Sequence, residues 1–219
     1  MKKNVLVAAL AALALSLLHA QEARAQGSNL DGSKSAAVFA AREEVRPAAG
    51  GIATLYALDP LASSLCFADG KDGHVFQQNE MRNRCSDVDF GGYSPDGLSV
   101  AVEGARRGRI IDLGGADELE SRYGFRDTVG KAQGFASLHA EGGKVFVLKS
   151  SRPQKFQELK ESAELFAEGK ATATAPVKVG HIYLIRITDG HDKSFQRLAK
   201  VKVISYVPGE SVTIRWQGL

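Results

Sequence analysis

The chain has 219 residues, 24% of them charged, and a formal net charge of +3. This near balance argues against nucleic-acid binding, because proteins that bind polyanions usually carry a clustered excess of basic residues. We therefore expect no nucleic-acid partner.

The first 25 residues have the pattern of a secretory signal peptide. Lys2 and Lys3 precede an apolar run, Val5–Leu18, and small residues allow cleavage after Ala25 or after Ala20. The run is short for a bilayer, and no later segment reaches the roughly 20 apolar residues of a spanning helix. The sequence predicts a periplasmic or secreted protein with no transmembrane span in the mature chain. A retained signal anchor is the alternative.

A polar, Ala- and Gly-rich stretch follows, at residues 26–51. It has few large apolar side chains, which indicates a flexible tail or linker, although a short helix at Ser35–Val45 is an alternative. Residues 52–219 are predicted to form a single β-rich domain. A sub-boundary at residues 169–176 is possible, but the remaining piece would be small for an independent domain.

The mature chain has two cysteines, Cys66 and Cys85. An even number of cysteines in an oxidising compartment favours a disulfide bond, and a loop of this length predicts a stabilisation of about 3 kcal/mol. Two free thiols or half of a metal site are the alternatives. A zinc site usually has its ligands in close pairs, which neither cysteine has.

Short β-type runs between turn residues dominate the chain after residue 51. The predicted strands are Ile52–Leu58, Val75–Gln77, Leu98–Glu103, Arg109–Leu113, Phe135–His139, Lys144–Lys149, His181–Thr188, Leu198–Val207 and Ser211–Gln217. The last two form the clearest hairpin, because residues alternate on both sides of Pro208-Gly209. We expect its buried face to contain Val201, Val203, Ser205, Val212, Ile214 and Trp216.

Two helices are predicted between the strands. Ala116–Tyr123 begins with acidic residues and is followed by Gly124, as is typical of a helix start and end. Pro153–Glu168 has apolar residues at spacings of three and four, and Ala171–Pro176 would then be a connector. The predicted fold class is mainly β (α+β), an antiparallel sandwich or partly open barrel with two short helices.

The most distinctive loop is Gly124–Gly134. Its glycines free backbone N–H groups, and Arg126, Asp127, Lys131 and Gln133 give it a polar surface, so we expect ligand contact here first. A plain connector between a helix and a strand is the alternative. The glycine spacing and the absence of a preceding strand rule out a phosphate-binding P-loop.

No catalytic motif is recognisable. Histidines without metal-binding spacing occur at His74, His139, His181 and His191. Carboxylates near predicted strand ends are Asp87, Asp89, Glu103 and Asp112, and nothing in the sequence selects a pair of them. We therefore assign no catalytic residue and expect no metal or cofactor.

Part of the chain resembles a group of exported bacterial proteins with no assigned activity. The similar segments are Arg84–Phe90, Arg109–Gly114, Thr128–Leu138, Gly180–Asp189 and Pro208–Trp216. The resemblance implies export and supplies no cofactor or catalytic residue.

These observations favour a non-enzymatic, β-rich binding or envelope-associated module whose partner is an unknown envelope or extracellular ligand or protein. A periplasmic hydrolase with a site built from scattered Asp, Glu and His is the alternative. A third hypothesis is a structural protein that associates with itself or with another envelope component. A deep cleft with convergent carboxylates would favour the enzyme, and an unprotected edge strand would favour association.

Overall fold

A computed structural model describes residues 50–73, 85–102, 105–124, 134–151, 153–167 and 172–219. The predicted signal peptide, most of the predicted tail and the predicted strand Val75–Gln77 lie outside these ranges. No helix within them is long and apolar enough to cross a membrane.

The described strands form three antiparallel sheets. The five-stranded central sheet has the order β1 (Gly50–Tyr56), β12 (Ser211–Gly218), β11 (Gln196–Val207), β10 (Ile182–Asp189) and β5 (Arg106–Gly114). The four-stranded sheet contains β2 (Ser64–Leu65), β3 (Val88–Phe90), β4 (Gly97–Val100) and β9 (Thr174–Pro176). The three-stranded sheet contains β6 (Leu138–Glu141), β7 (Lys144–Ser151) and β8 (Gln154–Glu158). The helices are α1 (Ala116–Tyr123) and α2 (Glu161–Phe166).

The central sheet has a hydrophobic core on each face. Tyr183 and Ile185 of β10 belong to a cluster that includes the four-stranded sheet. Ile182 and Leu184 belong to a second cluster with α1, α2 and the three-stranded sheet. Because alternate residues of a strand face opposite sides, burial of both faces explains the nearly continuous apolar run of β10. The predicted mainly β sandwich with two short helices is confirmed.

The β11–β12 hairpin is present, with one correction. Val212, Ile214 and Trp216 are buried as predicted. Ser205, predicted to be on the same face, is exposed because the register shifts between Val203 and Ser205. A β-bulge inserts an extra residue and changes which face the following side chains occupy. Tyr206 therefore packs against the core in place of Ser205.

The first helix is confirmed and the second is mostly wrong. Helix α1 has the predicted bounds, and Gly124 follows it in the left-handed conformation, with φ of 69°. The predicted helix Pro153–Glu168 is instead strand β8 followed by α2. Phe156 pairs with Leu148 of β7 and is 48% exposed. Hydrogen bonds to β7 satisfy the backbone N–H and C=O groups of β8 that face it, so the helical spacing of apolar residues in this segment was coincidental.

Two further elements differ from the predictions. The predicted connector Ala171–Pro176 contains β9, which pairs with β4 because the four-stranded sheet offers it a free edge. The predicted strand Phe135–His139 begins as a 3-10 helix at Gly134–Ser137, and the strand starts at Leu138. Side-chain pattern alone does not distinguish such short elements.

Candidate functional site

The predicted disulfide between Cys66 and Cys85 is present, with an S–S distance of 2.09 Å. The Asp87 carboxylate lies beside it, accepts the N–H of Phe67 at 2.7 Å and pairs with Arg197. Asp87 is only 2% exposed, so these donors offset the loss of water around its charge. The two sulfurs and this carboxylate lie close enough to hold a metal ion, but sulfurs joined to each other offer no thiolate ligand. The disulfide and the Asp87–Arg197 ion pair therefore join separate segments of the fold covalently and electrostatically.

The loop residues Arg126, Asp127, Lys131 and Gln133 lie outside the described ranges. Their role in ligand contact stays a prediction. The described residues on either side are Gly124, which ends α1, and Gly134, which begins the 3-10 helix.

Among the described histidines, His181 has a ring that contacts carboxylates. Its Nδ1 lies 2.9 Å from Oδ1 of Asp112, and its Nε2 lies 3.7 Å from Oε2 of Glu118. Lys178 donates to Asp112 at 3.2 Å, and Glu118 accepts the N–H of Gly115 at 2.9 Å. The cluster thus joins the start of β10, the end of β5 and the first turn of α1.

The imidazole of His181 is held between two carboxylates. Both imidazole nitrogens of His181 face carboxylates, and within the described part of the chain no hydroxyl or thiol is recorded in hydrogen-bond contact with the ring. The neighbouring Tyr183 hydroxyl donates to the carbonyl of Pro176 at 2.8 Å. Burial, and next the charge of Asp112, raise the pKa of Tyr183, so its phenol stays neutral.

The remaining described histidines have other surroundings. His139 stacks on Phe146, with ring centres 5.5 Å apart, and meets Phe156 edge-on at 4.6 Å. His191 lies exposed in a turn, where its N–H donates to Asp189. His74 is outside the described ranges.

Strand β1 is one edge of the central sheet, and its backbone groups alternate between two sides. The N–H of Ala57 donates to Glu210 on the side of β12, whereas the N–H of Tyr56 donates to Ala62 on the other side. By the same alternation, the N–H and C=O groups of Ile52 and Thr54 point away from β12. The Oγ1 atoms of Thr54 and Thr213 are 2.9 Å apart, as expected for a pair without mutual backbone bonds.

This outward edge of β1 has no strand beside it among the described residues. Among the described residues, no backbone group pairs with the outward groups of Ile52 or Thr54. The strand sequence GGIATLY has neither charge nor proline, the features that usually protect an edge, and Ile52 is 69% exposed. The opposite edge of the sheet differs, since the N–H of Ile110 donates to the carbonyl of Thr172 at 3.1 Å.

An apolar groove adjoins the end of this edge. It has a volume of about 640 Å³ and is lined by Tyr56, Leu58, Asp59, Pro60, Leu61, Gly209 and Glu210. Leu58 is 91% exposed and Leu61 is 60% exposed. Asp59 accepts the N–H groups of Leu61 and Ala62, and these bonds lower its pKa and fix the loop. Because Tyr56 belongs to both β1 and the groove, the two surfaces are continuous.

Two cations lie near the other end of β1. Lys200 is 2% exposed, and its Nζ donates to the carbonyl of Leu138 at 2.8 Å. Lys200 and Arg215 lie 4.9 and 4.8 Å from the centre of the Phe135 ring. Burial, and next the charge of Arg215, lower the pKa of Lys200 to about 8. Arg215 is opposite Ile52 in the β1–β12 register and lines a depression of about 390 Å³ with Gly50, Gly51, Ile52, Trp216 and Gln217.

Sequence reasoning did not find the open edge, the groove or the buried lysine. Alternation along β11 placed the side chains of Lys200 and Val201 on opposite faces of the strand. It did not show that Phe135 and β6 cover the face on which Lys200 lies. The detectable signal was the uncharged strand GGIATLY, although only the sheet order shows that it is an edge.

No protein-family model, curated protein or solved structure matches the chain. The resemblance to exported bacterial proteins therefore stays a prediction, and function has to be argued from the geometry.

Proposed function

We propose that this protein is a non-enzymatic, exported binding module that accepts an extended polypeptide segment as an added strand along β1. The outward N–H and C=O groups of Ile52 and Thr54, which have no backbone partner within the described ranges, carry this proposal. They form a short row of donors and acceptors that only another extended backbone matches in spacing.

The neighbouring groove supplies a basis for selectivity. In strand addition, backbone hydrogen bonds provide affinity, and pockets for alternate side chains provide specificity. A ligand strand that pairs with Ile52 and Thr54 ends beside Tyr56, whose N–H already donates to Ala62. There the exposed side chains of Leu58 and Leu61 offer contact to an apolar residue.

The disulfide supports the compartment in this proposal. Disulfide bonds persist in oxidising environments such as the periplasm and the extracellular space, and Cys66–Cys85 is a bonded pair. The intended partner is therefore an envelope or extracellular polypeptide.

The proposal is tested with a random octapeptide display library. The tightest binders are synthesised, and amide hydrogen exchange of the protein is measured with and without each peptide. In the free protein, the amides of Ile52 and Thr54 exchange fast, whereas those of Ala53 and Leu55, which point toward β12, exchange slowly. Saturating peptide should slow Ile52 and Thr54 at least tenfold. Selection of no peptide, or of peptides that leave both amides unprotected, would overturn the proposal.

A proline variant gives a second readout. Ile52→Pro removes an outward N–H without removing a hydrogen bond to β12, so it should weaken peptide binding on the order of tenfold or more. Ile52→Val keeps the N–H and most of the side chain and serves as the matched control. Equal affinity of the two variants would contradict strand addition.

A periplasmic hydrolase is the second candidate, favoured by the 2.9 Å contact of His181 with Asp112. Such a pair could orient a general base, but Glu118 faces the other imidazole nitrogen. Chromogenic ester, phosphate and peptide substrates test it. Hydrolysis by the wild type that disappears in His181→Gln, with an unchanged melting temperature, would support the enzyme.

A further inference from the structure

Two cations, Lys200 and Arg215, lie near the start of β1. Within the described ranges, no carboxylate lies within ion-pair distance of Lys200 or Arg215, and Arg215 makes no hydrogen bond there. The ammonium group of Lys200 has three N–H donors, and one recorded acceptor, the carbonyl of Leu138. Lys200 and Arg215 both lie against the ring of Phe135. Like charges this close repel each other, so a bound anion would stabilise the arrangement.

This positive site is within reach of a strand added to β1. Arg215 is one strand away from β1, and an added strand would be about 10 Å from β12, at two strand spacings. The side chain of Arg215 lies on the same face as Ile52 and lines the depression at the start of β1. A carboxylate on that face of the ligand can therefore meet the guanidinium.

The direction of the ligand follows from strand pairing. Antiparallel pairing is slightly the more stable, and β1 runs from the depression toward the groove. An antiparallel ligand therefore has its N-terminal part at the groove and its C-terminal part at Arg215. Ladder pairing covers Ile52 and Thr54 and ends at Tyr56, whose N–H donates to Ala62. Ile52 and Tyr56 are four residues apart, roughly 13 Å along a strand, so the ligand residue that enters the groove lies just beyond the paired part, on the same face as the carboxylate.

We propose that the ligand of this edge is an extended peptide with a carboxylate at Arg215 and a large apolar side chain about four residues earlier, in the groove. This inference rests on the proposed strand addition. A C-terminal carboxylate and an Asp or Glu side chain are the two sources of the same group, and Arg binds carboxylates through charge-assisted hydrogen bonds.

The test compares three forms of the tightest octapeptide: a free C-terminal acid, a C-terminal amide, and an amide whose last residue is glutamate. Dissociation constants are measured by fluorescence polarisation at low salt. The amide of the first peptide should bind about ten- to a hundredfold more weakly than the acid, as expected for a hydrogen bond to a charged group. Recovery by the glutamate form identifies a side-chain carboxylate as sufficient, and no recovery identifies the chain terminus.

Two variants of the protein test whether Arg215 causes the difference in affinity between the acid and the amide peptide. Arg215→Gln should remove the difference between acid and amide. Arg107→Gln changes the same charge on an exposed residue of β5, at the far edge of the sheet, and should leave the difference intact.

The failures are distinguishable. If acid and amide bind equally while Ile52 and Thr54 remain protected, the carboxylate inference is wrong and strand addition stands. If neither amide is protected, strand addition itself is wrong. If both amides become protected at high protein concentration without peptide, with dimers in sedimentation, the occupant is a second copy of this chain, which overturns the foreign peptide ligand.

Discussion

The burial of Lys200 predicts that the protein becomes more stable between pH 7 and pH 9, and that Lys200→Met removes this change. Its pKa falls from 10.5 to about 8 because burial, and then the charge of Arg215, disfavour the ammonium form. The folded state releases this proton at a lower pH than the unfolded state. The unfolded state therefore binds more protons between the two pKa values, and the free energy of unfolding rises with pH there.

The magnitude follows from the two pKa values. With pKa values of about 8 folded and about 10.5 unfolded, proton linkage gives a rise of about 1 kcal/mol from pH 7 to pH 9. The raised pKa values of Tyr123 and Tyr183 act in the opposite sense, since their neutral phenols stabilise the fold until unfolded tyrosine ionises near pH 10. The tyrosine contribution therefore changes only near pH 10 and above, so it does not affect the range from pH 7 to pH 9.

The assay is urea denaturation followed by the fluorescence of Trp216, the single tryptophan of the chain, which is 3% exposed. The readout is the pH dependence rather than the absolute stability, because Lys200→Met also leaves the carbonyl of Leu138 without its donor. Lys202→Met, a half-buried position on the same strand, is the matched control and should keep the rise. Arg215→Gln removes the second cause of the shift and should reduce the rise without abolishing it.

A flat wild-type profile from pH 7 to pH 9 would refute the reasoning. So would a Lys200→Met profile that still rises by about 1 kcal/mol, since another group would then be responsible.

Two further predictions concern stability. Replacing Cys66 and Cys85 with alanine should lower the free energy of unfolding by about 3 kcal/mol, the loop-entropy value for a sequence separation of 19. In urea denaturation, the reduced wild type should be as stable as this variant. A loss under about 1 kcal/mol would contradict the prediction. Gly108→Ala should cost about 2 kcal/mol or more, because the added Cβ would lie 2.0 Å from the carbonyl oxygen of Val100. Gly51→Ala, whose nearest contact would be an ordinary 3.5 Å, is the control, and equal melting temperatures would refute the steric argument.

The sequence predicts elements well where local signals agree. The β11–β12 hairpin has alternation on both sides of a Pro-Gly turn, and α1 has acidic residues at its start and glycine after its end. Each signal acts within a few residues, so no distant partner is needed to interpret it.

The errors occur where a distant partner decides the structure. Phe156 has helical spacing to Leu159, yet β7 provides a strand partner, and the backbone of residues 154–158 pairs with it. Thr174–Pro176 has no strand pattern of its own and becomes β9 because β4 lies alongside. Strand pairing of this kind depends on loop closure and sheet order, which local sequence does not contain.

The candidate site was missed for the same reason. Ile52 and Thr54 resemble any half-buried strand until the sheet order places β1 at an edge. Lys200 resembles a solvated lysine on an alternating strand until Leu138 and Phe135 are placed over it. Their chemistry arises from assembly of the three sheets.

The contact between Ile110 and Thr172 at the far side of the central sheet limits how the molecule can assemble. One backbone group of β5 is thus already paired on its outer side, whereas no described backbone group pairs with the outward groups of Ile52 and Thr54, so we expect the central sheet to accept a strand at β1. If the same strand of a second copy pairs there, the two copies share one isologous contact. An isologous contact uses β1 of both copies, so this edge by itself closes at two copies.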